Sequence, residues 1–136
     1  MKKFAKIAAL ALVVVMSLAM LVACAPNSNP DKALEALKKN GYTAAKDTAL
    51  SKAMQLAGIE VNAIVSGTKT SGEGDNAKLD HVTIVYFDNA DAAKNAWDKV
   101  KSFAEKDKDS KDSDWTMAQS GKMIYYGTKA GIAAAR

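Results

Sequence analysis

The chain has 136 residues, of which 49% are hydrophobic and 25% charged, and its formal net charge is +4. This length is enough for one ordinary domain and too short for two domains behind the apolar N-terminal run. A single cysteine and a single histidine exclude an intrachain disulfide and a zinc site of the usual ligand set.

The first 23 residues have the pattern of a secretory signal peptide. Lys2, Lys3 and Lys6 precede an apolar run over residues 7–22. As a helix this run would span about 24 Å, less than the ~30 Å of a bilayer's hydrocarbon core. We therefore expect a cleaved leader rather than a transmembrane anchor. Its removal leaves 16 basic and 15 acidic residues, so the charge does not indicate nucleic-acid binding.

The chain's one cysteine closes the sequence Leu21-Val22-Ala23-Cys24, directly after the apolar run. This tetrapeptide resembles the lipobox of bacterial lipoproteins. The resemblance implies diacylglycerol on the Cys24 sulfur and signal cleavage between Ala23 and Cys24. It leaves open whether the new amine of Cys24 is acylated as well. Membrane lipid would then hold the chain at the extracytoplasmic face of the cell membrane. The alternative is a cysteine that ends a signal peptide by chance.

After the cysteine, residues 25–30 (APNSNP) are small, polar and proline-containing, and we expect them to form a tether of at most about 20 Å. A single domain should occupy residues 31–136. Asn29 and Pro30 have the residue types of a helix cap and first helical position. Periodicity then predicts, in chain order, a helix over 31–41, a weak strand over 42–47, a helix over 48–58, strands over 59–67 and 79–87, a helix over 88–106 capped by Asp88 or Asn89, strands over 115–119 and 122–128, and a short closing helix.

This order predicts an α+β fold with one small domain. We expect a mostly antiparallel sheet of four to five strands, with the helices packed on one face in an αββαββ-like arrangement. The segments WDKVK and GKMIYYGTK resemble those of small Gram-positive lipoproteins, a similarity that implies no activity.

Candidate catalytic and metal-binding residues are few. His81 follows Asp80 in a predicted strand, so the two side chains should point to opposite faces and cannot form a dyad. A serine partner would have to come from elsewhere, such as Ser66 or Ser120. We expect His81 on the surface. Residues 107–114 have a superficial likeness to a calcium loop but lack its glycine and its final glutamate. We predict no metal and no cofactor.

The aromatic residues say more about function than the candidate catalytic and metal-binding residues do. Tyr125 and Tyr126 should point to opposite faces of a strand, which would leave one of them away from the helices. With Trp115 and His81 they would form a binding surface for a glycan, a peptide or an envelope protein. The alternative is an ordinary core with one isolated surface ring.

Function is therefore expected to be that of a small, non-enzymatic binding or accessory module at the membrane surface. The alternative is a small cell-envelope enzyme acting on wall or lipid material, which would need Glu60, Asp80 and His81 to converge in a cleft. A structural protein that self-associates through its sheet edges is a third hypothesis. The sequence leaves the oligomeric state open.

Overall fold

The computed structural model describes residues 25–74, 77–108 and 114–136. Within these ranges the chain forms four helices and five strands in the order predicted from the sequence. The elements are α1 (Pro30–Lys39), β1 (Thr43–Lys46), α2 (Thr48–Leu56), β2 (Ala63–Ser71), β3 (Lys78–Tyr86), α3 (Ala90–Asp107), β4 (Thr116–Ser120), β5 (Met123–Gly127) and α4 (Lys129–Ala134).

All five strands join one antiparallel sheet in the order β1-β2-β3-β5-β4. The predicted hairpins β2–β3 and β4–β5 both form, and β3 pairs with β5 to link them. At the centre of the β3–β5 pair, Ile84 lies opposite Tyr125. The predicted α+β class and the single antiparallel sheet are confirmed.

The helices cover both faces of this sheet. Along β3, Ile84 and Tyr86 pack with α1 and α4, whereas Val85 and the following Phe87 pack with α2 and α3. The prediction that helices lie on one face is therefore wrong. The segments VTIVYF and MIYY are apolar except for Thr83, and such nearly continuous runs are typical of strands buried on both sides. We refer to the two sides as the α1/α4 face and the α2/α3 face.

The largest departures from the predicted boundaries are in β2 and the second hairpin, and β2, expected to end at residue 67, continues to Ser71. The strand expected from Ile59 begins at Ala63, because the Ile59 amide donates to Met54 O at 2.9 Å and closes the end of α2 instead. In the second hairpin Ser120 pairs with Met123. The two-residue loop is thus formed by residues 121–122, one position later than expected.

The helix caps follow the sequence. The Asn29 side chain accepts hydrogen bonds from the amides at the start of α1, with Pro30 in the first turn. Asn89, rather than Asp88, caps α3 by accepting from the Ala92 amide at 2.7 Å. Each cap satisfies amides that have no partner within the helix.

The segment expected to be a tether is docked on the domain. Ala25 packs against the core of the α1/α4 face, and Pro26 is buried. The Asn27 amide donates to Ala135 O at 2.8 Å, and its carbonyl accepts from the Tyr86 hydroxyl at 2.7 Å. Because residues 25–27 already pack on or hydrogen-bond to the domain, the described part of the segment is not an extended linker.

Candidate functional site

An open groove of about 750 Å³ lies on the α2/α3 face of the sheet. Its walls come from α2 and from the C-terminal end of α3, and its floor comes from β2, β3 and β5. Leu50 and Ala53 line one wall, and Phe103 lines the other. The groove's volume is in the range of small-molecule sites.

The floor of the groove carries a row of hydroxyl groups. Ser66 on β2 pairs with Thr83 on β3, and Thr83 in turn pairs with Tyr126 on β5. Residues directly opposite each other on neighbouring strands place their side chains on the same face. The next row along the strands is apolar and belongs to the core beneath α2 and α3. Polar groups are thus concentrated on the half of this face nearest the β2–β3 turn.

Asp47 stands at the α2 side of the groove. As the N-cap of α2, it accepts the Leu50 amide on Oδ1 at 2.9 Å. Its Oδ2 accepts a hydrogen bond from the Ser66 hydroxyl at 3.3 Å. The helix start and the strand residue therefore fix this carboxylate at the edge of the hydroxyl row.

Asp107 stands at the α3 side. Its Oδ2 lies 3.7 Å from Nδ1 of His81, a distance that forms an ion pair when the imidazole is protonated. The backbone of His81 is held by the end of β5, because the Thr128 amide, one residue beyond the Val82–Gly127 pair, donates to His81 O at 2.9 Å. His81 is 8% exposed, so its expected surface position is wrong. The α1/α4 face covers its backbone, and its side chain faces the groove.

Tyr126, on β5, lines the floor of the groove at the end of the hydroxyl row. Burial raises the pKa of its phenol well above the ordinary value, and a hydrogen bond with the Thr83 side chain lowers it in part. The negative charges of Asp107 and Asp47 raise it further. Both carboxylates therefore act on the same point of the groove floor, and Tyr126 stays a neutral hydroxyl there.

The expected aromatic surface is not one exposed patch. Tyr125 and Tyr126 are 2% and 1% exposed, and Tyr125 lies on the α1/α4 face, away from the other three residues. Neither ring is left uncovered because both faces carry helices. On the α2/α3 face, Trp115 packs against Tyr126 with ring centroids 6.4 Å apart. His81 and Tyr126 both line the groove.

The residues of the enzyme hypothesis do not converge. Asp80 and His81 lie on opposite faces, as expected for strand neighbours. Glu60 is exposed in the loop before β2, at the opposite end of the sheet from the groove. Ser66 does share the groove with His81, but its hydroxyl donates to Asp47.

No group of three or more metal-ligating side chains occurs within the described residues. The superficial calcium loop falls mostly on residues 109–113, and the lipidation and cleavage sites Cys24 and Ala23 precede residue 25, so these predictions lie outside the described residues.

Sequence reasoning did not single out Asp47 or Asp107 as groove residues. Asp47 directly precedes an apolar-periodic segment, and this cap signal could have placed it at a helix start. That it also meets Ser66 depends on strand register, which a single sequence does not specify. The same holds for Asp107, whose neighbour His81 is 26 positions away along the chain.

The comparisons with known proteins are negative: no family model matches the chain, and no curated protein or solved structure is significantly similar to it. The fold itself defines the class, which is a small α+β domain with a five-stranded antiparallel sheet covered on both faces. Across residues 25–74, 77–108 and 114–136, no helix is both long enough and apolar enough to traverse a bilayer.

Proposed function

We propose that this chain is an extracytoplasmic lipoprotein, anchored to the cell membrane through Cys24, whose domain is a non-enzymatic binding module that uses the groove on the α2/α3 face. The lipobox-like Leu21-Val22-Ala23-Cys24 supports the anchor. The single observation that carries the binding role is the open groove with a polar floor and apolar walls.

The docked N-terminal segment supports this arrangement of anchor and groove. Ala25 is already packed on the α1/α4 face, and consecutive Cα atoms are only about 3.8 Å apart. The lipid anchor would therefore be attached on the α1/α4 side of the domain. Tyr86, which bonds Asn27, is five residues along β3 from His81, or about 17 Å. The groove would thus open on the opposite side of the sheet from the lipid, towards the envelope.

A photo-crosslinking residue tests the binding role in living cells. Placed at Ala53, on the groove wall, it should give a discrete adduct with one envelope component. Placed at Lys94, an exposed position on α3 outside the groove, it should not give that adduct.

The anchor is tested in the same experiment by Cys24→Ala. This variant should reduce or abolish the Ala53 adduct, because the domain is no longer held at the membrane surface. The binding proposal is wrong if the two positions give the same adducts or none. It is the anchor proposal that fails if Cys24→Ala leaves the adduct unchanged.

A further inference from the structure

The charges lining the groove are unequal. Two carboxylates, Asp47 and Asp107, face it from its two walls, and one ammonium, that of Lys106, lies beside them. The Lys106 ammonium lies 5.9 Å from the centroid of the Phe103 ring. This ammonium therefore lies beside the α3 wall. The floor contains the hydroxyl groups of Ser66, Thr83 and Tyr126 together with the imidazole of His81, whose Nδ1 lies 3.7 Å from Asp107 Oδ2.

Both carboxylates keep accepting positions that a ligand can use. Each Asp47 oxygen is engaged by one neutral donor, the Leu50 amide or the Ser66 hydroxyl, and a carboxylate oxygen accepts about two hydrogen bonds. On Asp107 the ring nitrogen of His81 is 3.7 Å away, longer than a direct hydrogen bond.

The walls supply the apolar part of a site. Leu50 and Phe103 are half-buried, and Leu79 is 48% exposed at the groove's edge, a high value for so large an apolar side chain. A ligand with an apolar body would cover this surface while its polar end reached the floor. The groove thus combines an apolar wall surface with a floor flanked by negative charge.

We propose that the groove binds a small organic cation, namely a primary ammonium group on an apolar body. The negative charges of Asp47 and Asp107 attract the ammonium to the hydroxyl-bearing floor, and the apolar body lies against Leu50 and Phe103. This inference rests on the proposal that the groove is a binding site. The charge complementarity selects cations over anions of the same shape. A volume of about 750 Å³ suits a small molecule rather than a protein segment.

Three probes of one shape and different charge test this proposal by NMR titration of the full chain in nonionic detergent micelles. They are 3-phenylpropylammonium, 3-phenylpropan-1-ol and 3-phenylpropionate. We expect the ammonium to shift the Ser66 and Thr83 amides and to bind roughly tenfold more tightly than the carboxylate. The Asn27 amide, on the opposite face, reports any effect of the micelle.

Two charge-removing variants locate the ammonium. Asp47→Asn keeps a good helix cap and an acceptor for Ser66, so it removes the charge with little structural change. Asp107→Asn keeps an acceptor near His81. Each variant should weaken binding of the ammonium probe by roughly threefold to tenfold. The difference in affinity between variant and parent chain should shrink in high salt. Asp98→Asn, on an exposed part of α3 outside the groove, is the matched control and should change nothing.

Failure of this inference is distinguishable from failure of the proposed function. If all three probes shift the groove amides equally, the groove binds ligands but does not select cations, and the inference is overturned. If none shifts them, the cation inference is overturned, and the Ala53 crosslink decides separately whether the groove binds another ligand. If a lysine tripeptide binds tenfold more tightly than the amine, the ligand of the groove is a peptide rather than a small organic cation, and the inference is overturned.

Discussion

Gly131 is a residue at which α4 lies closely against the backbone that carries His81. A Cβ atom there would lie 2.4 Å from His81 O and 2.8 Å from His81 C. These are backbone atoms held by the Thr128 amide, so they cannot move aside as a flexible side chain would. The absence of a side chain at Gly131 is what lets α4 approach β3.

Gly131→Ala should therefore lower the free energy of unfolding by about 1–3 kcal/mol, as expected for overpacking. Helix propensity alone predicts the opposite, since Ala is favoured over Gly by about 1 kcal/mol inside a helix. Urea unfolding of Gly131→Ala distinguishes the two. Ala130→Gly, at the exposed neighbouring position, should cost only the propensity difference. A Gly131→Ala variant as stable as the parent chain would refute the close contact.

At the scale of elements, the central feature is a sheet with a core on each face. Ile84 and Val85 are adjacent on β3, both are fully buried, and they belong to different cores. Ile84→Ala should cost about 2–5 kcal/mol, and Val85→Ala about 1.5–3 kcal/mol, because each leaves a cavity between sheet and helices. Thr70→Ala, on the exposed end of β2, is the control. If either core variant behaved like Thr70→Ala in urea unfolding, one face would be uncovered.

The identity and order of the elements could be predicted from the sequence, because capping residues and periodicity are local signals. Asn29 and Asn89 cap the helices that their positions indicate. The coverage of both faces was not predicted, since helical periodicity does not say to which side of the sheet a helix packs. The groove was not predicted because a single sequence does not specify the register of its strands. Its floor depends on Ser66, Thr83 and Tyr126 meeting across three strands.

At the scale of the whole molecule, buried phenols couple stability to alkaline pH. Burial raises the pKa of both Tyr86 and Tyr126 above the ordinary value near 10. Above about pH 10 the unfolded chain therefore binds fewer protons than the folded one. The free energy of unfolding should then fall with rising pH, by up to about 1.4 kcal/mol per pH unit for each tyrosine.

Tyr126→Phe and Tyr86→Phe should each remove the contribution of one tyrosine to this fall of the free energy of unfolding with pH. Urea unfolding at pH values between about 9 and 11 measures it, and the phenolate absorbance of the folded chain reports the deprotonation directly. A slope that is the same in both variants as in the parent chain would show that these phenols do not cause the loss. Tyr86→Phe should also release Asn27, whose carbonyl accepts the hydroxyl hydrogen bond.

At the scale of the whole molecule, the docked domain begins directly after Cys24, the proposed lipidation site. This arrangement depends on Cys24, where the sequence resembles a lipobox and after which Ala25 already packs on the core. The most direct measurement is the mass of the N-terminal peptide of the full chain, expressed in bacterial cells and recovered from their membrane fraction. Cys24→Ser is the matched control, because it keeps the size of the side chain and removes the thiol.

We expect a peptide that begins at Cys24 and carries diacylglycerol on its sulfur, with or without a further acyl chain on its amine. We expect no such peptide from Cys24→Ser. A chain that keeps residues 1–23 with an unmodified cysteine, or one found only outside the membrane fraction, would contradict the account.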